Sequence, residues 1–262
     1  MKRFDKICKD IQSLKIQGAT NVAKAGVKAY LLNPTTKFKN KLFSLRPTEP
    51  ALFNALNLLE KNSPEEIFSH FDKSQNNINN YLNKKIKKNF IIYTHCHAST
   101  ISKALIYSKK KGKKFEVYNT ETRPLYQGRK TARELAKSKI KVTNFVDSGM
   151  HEAIKNSTIV LLGADAILKS GVINKIGSTA IAEIAKVHKK PLYIVSDSWK
   201  FYSKDVKIEE RDFHEVWKRV PKNIKVRNPA FEKIPKKYIT GIISENGILK
   251  YSEFLKRSKK LI

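Results

Sequence analysis

Two side chains in this sequence have the chemistry to move protons on a small substrate. Cys96 stands between two histidines directly after an apolar run, and Asp165 follows a Gly-Ala pair after another apolar run. A thiolate and a carboxylic acid act as general base and general acid when a fold holds both within reach of one substrate. Each also has a structural interpretation, because cysteine is a common core residue and aspartate at a strand end can cap the next helix.

The histidines beside Cys96 raise a metal site as an alternative. Successive side chains of an extended segment point to opposite sides, so on such a segment Cys96 faces away from His95 and His97. The sequence has no second cluster with the spacing that would complete a tetrahedral site. We therefore expect no metal at these residues.

The elements that position these residues are predicted to be strands and helices in alternation. Six short apolar runs, rich in β-branched and aromatic residues, alternate with helical patterns: Phe90–Thr94, Phe115–Thr120, Lys141–Val146, Thr158–Leu162, Pro191–Ser196 and Tyr238–Ser244. This pattern predicts βαβ units and a parallel sheet that is covered on both faces. Ligands of such sheets bind outside the carboxyl ends of the strands. Cys96 and Asp165 follow two of these ends, so we expect them in one crevice.

The chain before residue 89 has its apolar side chains at helical spacing. Ser63 followed by Pro64 is typical of an N-cap and a first helical position. A length of 262 residues suits one domain of ordinary size with a smaller partner. We predict an α/β fold with an N-terminal helical domain (1–88) and a C-terminal Rossmann-like domain (89–262). The polar connection 201–237, with its three prolines, is expected to cap a sheet edge or to reach a partner subunit.

The chain is strongly basic, with 53 lysines and arginines, 23 aspartates and glutamates, and a net charge of +30. The lysines are spread along the whole chain, which is typical of a solvated surface, and an unspecific attraction to nucleic acid stays open. The apolar runs fall short of the roughly 20 residues that span a bilayer, and the N-terminus lacks the apolar core of a signal peptide. Two cysteines make no disulfide framework. We expect a soluble, cytoplasmic protein without membrane partners.

A set of short motifs, in order along nearly the whole chain, resembles the initiation-factor-2B alpha/beta/delta superfamily. The motifs are Gln17-Gly-Ala19, Arg46-Pro-Thr48, Thr94-His-Cys-His97, Glu121-Thr-Arg-Pro124 with Gln127-Gly128, Gly163-Ala-Asp165 and Asn174-Lys-Ile-Gly177. That superfamily includes methylthioribose-1-phosphate isomerases, archaeal ribose-1,5-bisphosphate isomerases and the regulatory subunits of translation initiation factor 2B. The segment 221–231 is most similar to the archaeal ribose-bisphosphate enzymes.

The resemblance implies an aldose–ketose isomerase that converts a ribose 1-phosphate derivative to the ribulose form in nucleotide salvage. The favoured substrate is ribose 1,5-bisphosphate. Cys96 and Asp165 match the catalytic cysteine and aspartate of the isomerases. The matching substrate contacts are Gln17, Gly18, Ala19, Arg46, Gln127, Asn174 and Lys175. Proton transfer needs no cofactor, and association through the C-terminal domain implies a homodimer or a hexamer built from dimers.

Two departures from the family pattern keep alternatives open. Gln17 stands where the isomerases usually carry arginine, and Asp197 stands where a glutamate is expected. The alternatives are a methylthioribose-1-phosphate isomerase of methionine salvage and a non-catalytic regulatory subunit of the translation factor. The presence of both Cys96 and Asp165 favours an enzyme. For catalysis we expect the pKa of the Cys96 thiol to be lowered by nearby cations and by a helix that begins near Ser99.

Overall fold

The computed structural model describes residues 2–208 and 210–259. The ranges predicted for the two domains also include Met1, Glu209 and residues 260–262, which lie outside the described residues. The first part of the chain is helical, as expected, and contains α1 (Lys2–Gln12), α2 (Ala19–Tyr30), α3 (Thr36–Leu45), α4 (Pro50–Leu58) and α5 (Pro64–Lys85).

The start signal predicted for the long helix α5 is confirmed. The Ser63 hydroxyl accepts from the Glu66 N–H at 3.2 Å, and the Glu66 carboxylate accepts from the Ser63 N–H at 2.8 Å. This reciprocal capping box satisfies two backbone donors that a helix end otherwise leaves open. Pro64 is the first helical residue, where its missing N–H costs nothing.

Each of the six predicted runs contains a strand, and α-helices separate the first five of these runs. The strands are β1 (Phe90–Thr94), β2 (Phe115–Thr120), β3 (Lys141–Phe145), β4 (Ile159–Leu162), β5 (Ala166–Ile167), β6 (Gly171–Lys175), β7 (Leu192–Val195), β8 (Phe231–Pro235), β9 (Gly241–Ser244) and β10 (Gly247–Leu249). The helices are α6 (Ser99–Lys110), α7 (Gln127–Lys137), α8 (Met150–Lys155), α9 (Ser178–Val187) and α10 (Tyr251–Ser258). The α/β fold class is therefore confirmed.

The main sheet has the strand order β10-β9-β7-β4-β1-β2-β3. Neighbouring strands are parallel except β9 and β10. From β1 the chain builds outward to β2 and β3, and then returns to add β4, β7 and β9 on the other side. The carboxyl ends of β1 and β4 thus flank the point where the strand order reverses, and a crevice opens at such a point. Thr94 pairs with Leu161 there, so the loops after both strands start side by side.

A second, small sheet has the order β5-β6-β8 and is antiparallel. The sequence patterns did not predict it, because β5 has two residues and β6 ends in the polar pair Asn174 and Lys175. Its third strand, β8, comes from the connection 201–237 and pairs Lys175 with Phe231. This connection therefore returns to the strand that carries Asn174 and Lys175.

Two hydrophobic cores meet along α5. The first half of this helix packs with α1, α2 and α4, and its second half packs with the residues under the main sheet. Trp199, in the segment after β7, is buried in the helical core. The Asn54 amide donates to the carbonyls of Trp199 at 2.7 Å and Phe201 at 2.9 Å. A domain boundary at residue 88 stays a prediction, since a shared helix and a buried segment join both parts.

Candidate functional site

A cavity lies at the carboxyl ends of β1 and β4, between the main sheet and the helical region. Its lining includes each residue that the sequence singles out for catalysis or binding: Gln17, Gly18, Ala19, Arg46, Cys96, Gln127, Asp165, Asn174 and Lys175. These residues come from the start of α2, the loop before α4, the start of α7 and the ends of β1, β4 and β6. The fold brings the whole set together, whereas the role of each residue stays a prediction.

The backbone of Cys96 has a left-handed conformation, with φ of 61°. For a residue other than glycine this costs roughly 1–2 kcal/mol, so the surroundings must hold it. The Cys96 N–H donates to Thr122 Oγ1 at 3.0 Å, and the Cys96 carbonyl accepts from Thr131 Oγ1 at 2.8 Å. The backbone at Cys96 is therefore not extended, and the prediction that residues 95–97 form an extended segment is wrong.

Burial raises the pKa of the Cys96 thiol to about 11, and the Lys175 ammonium opposes this shift. The carboxylates of Asp165 and Asp147 raise the pKa further. The expectation of a lowered Cys96 pKa is thus wrong. The free-energy cost of removing a thiolate from water exceeds the stabilisation of that thiolate by one nearby lysine. Cys96 is a thiol at neutral pH, and the charges of Asp165 and Lys175 both shift its pKa.

His95 fastens the loop after β1 to the end of β2 and to the turn before α9. Its Nδ1 lies 2.8 Å from Thr120 Oγ1, and its Nε2 lies 2.9 Å from the Ile176 carbonyl. Burial lowers the pKa of this imidazole, so it is neutral and its Nε2–H donates to the carbonyl. Both ring nitrogens are used in the fold. Within residues 2–208 and 210–259, no three histidine, cysteine, aspartate or glutamate side chains group as metal ligands.

His97 lines the cavity and faces α7. Its Nδ1 lies 3.0 Å from Thr131 Oγ1, and its Nε2 lies 3.7 Å from Glu134 Oε2. Burial lowers the pKa of His97 to about 4, and the Lys130 ammonium acts in the same direction. The imidazole is therefore neutral at physiological pH.

Asp165 reaches the same cavity because the loops after β1 and β4 approach closely. A Cβ at Gly163 would lie 2.8 Å from the Cβ of Ala98, which is closer than side chains tolerate. The Asp165 N–H donates to the Ile173 carbonyl at 2.9 Å, which fixes the loop on β6. A glycine at this crossing thus lets the carboxylate and the thiol share one cavity.

Asn174 and Lys175 are buried at the end of β6, with 6% of each residue exposed. The Asn174 amide donates to Ser178 Oγ at 2.9 Å, and that hydroxyl donates to the Lys175 carbonyl at 2.6 Å. These bonds bind the last residues of the strand to the first turn of α9. A buried ammonium and a fixed amide at a cavity suit an oxyanion or a phosphate.

Several helices begin at the cavity, and at one of them, α7, the Gly128 N–H already donates to the Glu121 carbonyl at 3.1 Å. The starts of α2, α6 and α7 contribute residues to its lining. In the described chain, the N-cap residues Gly18, Ala98 and Tyr126 make no side-chain cap hydrogen bond. Open N–H groups and the positive end of a helix dipole together bind anions such as phosphate. The cavity is thus suited to a ligand with more than one anionic group.

Cationic side chains line the cavity from both parts of the chain. Arg46 donates to the Glu49 carboxylate at 2.8 Å, and both side chains are buried. Lys200, also buried, donates to the Ala164 carbonyl at 2.7 Å, next to Asp165. Lys130, Lys200 and Arg211 also line the cavity, although no sequence motif marks them.

Of these cations, Lys200 could have been found from the sequence and Arg211 could not. Lys200 follows the end of a predicted strand by a few residues, which is where ligands of parallel sheets bind. Arg211 lies in the polar connection, where position along the chain gives no such indication. It forms an ion pair with Glu215, and Asn228 also donates to that carboxylate at 3.2 Å. Because Arg211 lines the cavity, part of the connection is a wall of the site.

Comparison with known proteins gives relatives for nearly the full chain. Residues 19–251 match the family described as the initiation factor 2 subunit family. A ribose 1,5-bisphosphate isomerase of Methanocaldococcus jannaschii is 36% identical, over 91% of this chain and 89% of the relative. A methylthioribose-1-phosphate isomerase of Carboxydothermus hydrogenoformans is 32% identical, over 98% of this chain and 91% of the relative.

A similar solved structure is that of the translation initiation factor eIF-2B of Pyrococcus horikoshii OT3. It superposes with a TM-score of 0.87 at 26% identity, over 95% of this chain and 98% of that chain. In the part of the chain that is described, no helix is long and apolar enough to cross a bilayer.

Proposed function

The chain belongs to the initiation factor 2 subunit family, and on this premise we propose that it is a sugar-phosphate isomerase whose substrate is ribose 1,5-bisphosphate. The product is ribulose 1,5-bisphosphate. Relatives named as isomerases of this substrate cover about nine-tenths of both chains at 32–36% identity. We place the reaction in nucleotide salvage, as the resemblance implies.

The observation that carries this proposal is the meeting of a thiol, a carboxylate and anion-binding groups in one cavity. Cys96 and Asp165 line it together with the uncapped starts of α2, α6 and α7. Proton transfer to carbon and oxygen needs the first two groups, and a phosphorylated sugar needs the others. A subunit that only binds a partner protein has no need of a half-buried thiol that shares a cavity with a carboxylate.

The chemistry has to overcome a closed ring, because the C1 oxygen of the substrate is esterified. Asp165, as the acid, gives a proton to the ring oxygen while the bond from that oxygen to C1 breaks. Cys96, as the thiolate, removes the proton from C2, so that an enol forms between C1 and C2. Cys96 then returns its proton to C1, and the C2 hydroxyl gives its proton to Asp165. The ketone forms at C2, and both residues regain their starting states.

This cycle needs a thiolate and a carboxylic acid, whereas Cys96 is a thiol at neutral pH. The thiol with a carboxylate and the thiolate with a carboxylic acid contain the same number of protons. The reactive pair is therefore a minor arrangement of one proton shared by two groups, and its fraction is constant between the two apparent pKa values of the pair. A raised thiol pKa is compatible with activity at neutral pH for this reason.

Ribose 1,5-bisphosphate is favoured over methylthioribose 1-phosphate by the cations around the cavity. A second phosphate needs a second group of donors, while a methylthio group needs an apolar surface. Arg46 belongs to the helical region, Lys200 follows β7, and Lys175 and Arg211 belong to β6 and the connection that returns to it. Cations from separate segments thus support a substrate with a phosphate at each end.

The proposal is tested by incubating the purified protein with each of the two sugar phosphates and following the ketose by NMR. We expect conversion of ribose 1,5-bisphosphate and little or none of methylthioribose 1-phosphate. Turnover of methylthioribose 1-phosphate alone would show that this sugar, and not ribose 1,5-bisphosphate, is the substrate. Binding of either compound without turnover would favour a regulatory subunit, and Cys96→Ser serves as the matched inactive control.

We also propose that the protein is a homodimer or a hexamer built from dimers, joined through the C-terminal domain. The support is the resemblance to this family, which implies association through the C-terminal domain. Light scattering of the purified protein measures the mass directly. A monomer at micromolar concentration would contradict this proposal without affecting the isomerase reaction.

A further inference from the structure

The loop that carries Cys96 is held by two threonine hydroxyls from neighbouring elements. Thr122, in the loop after β2, accepts from the Cys96 N–H, and Thr131, in the second turn of α7, donates to the Cys96 carbonyl. Both threonines are buried, with 1% and 2% of each residue exposed. Because a left-handed cysteine is strained, these bonds hold the backbone from which the thiol extends.

The bond from Thr131 fixes the direction of a further hydrogen bond. A hydroxyl has one proton, and that of Thr131 goes to the Cys96 carbonyl because a carbonyl can only accept. Thr131 Oγ1 must then accept from His97 Nδ1, which lies 3.0 Å away. The neutral imidazole thus has its proton on Nδ1 and a lone pair on Nε2, which lies 3.7 Å from Glu134 Oε2 of α7. Protonation of His97 would leave the Nδ1–H in place.

We propose that His97 and Thr131 are positioning residues for the Cys96 thiol: the His97 Nδ1–H orients the Thr131 hydroxyl, which holds the Cys96 carbonyl and with it the left-handed backbone. His97 is the residue next to Cys96, so its ring reaches back over the backbone that it stabilises. The importance of this arrangement for catalysis rests on the proposed isomerase function. Its effect on the geometry of the thiol does not.

Two pairs of variants separate the hydrogen bonds from mere packing. Thr131→Ser keeps the hydroxyl and Thr131→Val removes it at nearly constant volume. His97→Asn places an amide N–H close to the position of Nδ1, whereas His97→Gln places its amide close to the position of Nε2. We expect Thr131→Val and His97→Gln to lower kcat by up to about 10²-fold with little change in KM, since small errors in the position of a reacting group have effects of that size. We expect Thr131→Ser and His97→Asn to retain most of the kcat of the parent protein.

A second measurement is independent of the isomerase reaction. In a Cys8→Ala background, the rate of Cys96 alkylation by iodoacetamide reports the exposure and ionisation of the thiol. We expect Thr131→Val and His97→Gln to change this rate at least several-fold, and Thr131→Ser and His97→Asn to leave it close to that of the parent. Thr143→Val, at an exposed position on the edge strand β3, is the control for a threonine-to-valine change elsewhere.

Equal alkylation rates and equal kcat values within each pair would overturn the positioning role. If the parent protein converts neither sugar phosphate, the proposed function fails, and the alkylation rates still decide whether His97 and Thr131 hold the thiol. Should Thr131→Val fold poorly, as judged by its melting temperature, the His97 pair decides the outcome, because His97 is a partly exposed side chain.

Discussion

The two walls of the cavity are built in different ways. On the sheet side, Cys96 and Asp165 follow buried strands, and backbone hydrogen bonds hold the loops on which they lie. On the helical side, Gln17 and Gly18 are exposed, and α2 starts without a side-chain cap. In the proposed mechanism the fixed side chains of the sheet side transfer protons, and the N–H groups and charge of the helical side bind an anion.

This contrast predicts a division of kinetic effects. Interactions that are equally strong in the ground state and the transition state alter KM, and interactions made during bond changes alter kcat. Substitutions in the sheet wall are therefore expected to lower kcat, and substitutions in the helical wall are expected to change KM by smaller factors.

Cys96→Ser and Asp165→Asn probe the sheet wall. Each removes one of the two groups that transfer protons in the proposed mechanism, and we expect kcat to fall by about 10²–10⁴-fold with KM close to that of the parent, since this is the usual range for general acid–base catalysis. NMR kinetics with ribose 1,5-bisphosphate measure both constants, and a melting curve checks that the fold is kept. Full turnover by either variant would show that the residue has no such role.

The pH dependence of Cys96 distinguishes its ionisation from its catalytic use. Because burial raises the thiol pKa to about 11, alkylation by iodoacetamide should rise about tenfold per pH unit between pH 7 and 10. The ratio kcat/KM should instead stay nearly constant around neutral pH, since one proton is shared by the pair. Lys175→Met removes the charge that lowers the thiol pKa, so alkylation should slow further. A plateau of alkylation below pH 9 would contradict the raised pKa.

Gln17→Arg probes the helical wall at the position where the resemblance to the isomerases leads us to expect arginine. A guanidinium at the start of α2 would add charge-assisted hydrogen bonds to a phosphate, and we expect KM to fall by about three- to tenfold, or up to ~1.4 kcal/mol. The value of kcat should stay the same. Gln17→Glu is the matched control, with an expected rise in KM. A change confined to kcat would break the proposed division between the walls.

The segment after β7 joins the two walls, because its Trp199 is buried in the helical core. Glu245, after β9, binds this segment at Ser198. Its carboxylate accepts from the N–H and the hydroxyl of Ser198, and burial together with nearby Asp197 raises its pKa to about 7. The folded protein thus binds this proton more tightly than the unfolded chain, so the resulting stability is present below pH 4.5 and is lost as pH rises through 7.

Melting temperatures between pH 5 and 8 measure this effect. We expect the melting temperature of the parent to fall across this range relative to that of Glu245→Gln, by a few degrees for each kcal/mol lost. Parallel curves for the two proteins would show that Glu245 is already ionised at pH 5.

Much of the fold follows from local sequence patterns. The central strands are short apolar runs, and their ends mark the site because parallel strands share one carboxyl edge. Ser63 and Pro64 similarly mark the start of α5 by a rule that involves only four residues. The co-location of Cys96 and Asp165 could be predicted for the same reason.

The remaining features depend on contacts between distant residues. β6 and β8 pair residues about 60 positions apart, and no apolar pattern marks Asn174 or Lys175 as strand residues. The left-handed backbone of Cys96 gives no signal either, since glycine or asparagine would be the usual indication. The direction of its pKa shift depends on burial, which follows only from the assembled fold.

The uncapped helix starts around the cavity have a consequence for the thermodynamics of the whole chain. At α5, Ser63 supplies a cap from within the sequence, whereas at α2 and α6 a phosphorylated metabolite would supply it from outside. Folding and occupancy are then linked by mass action, and a ligand at 100 times its Kd adds about 2.7 kcal/mol to the free energy of unfolding. The cellular lifetime of this protein would consequently follow the supply of the sugar that it consumes.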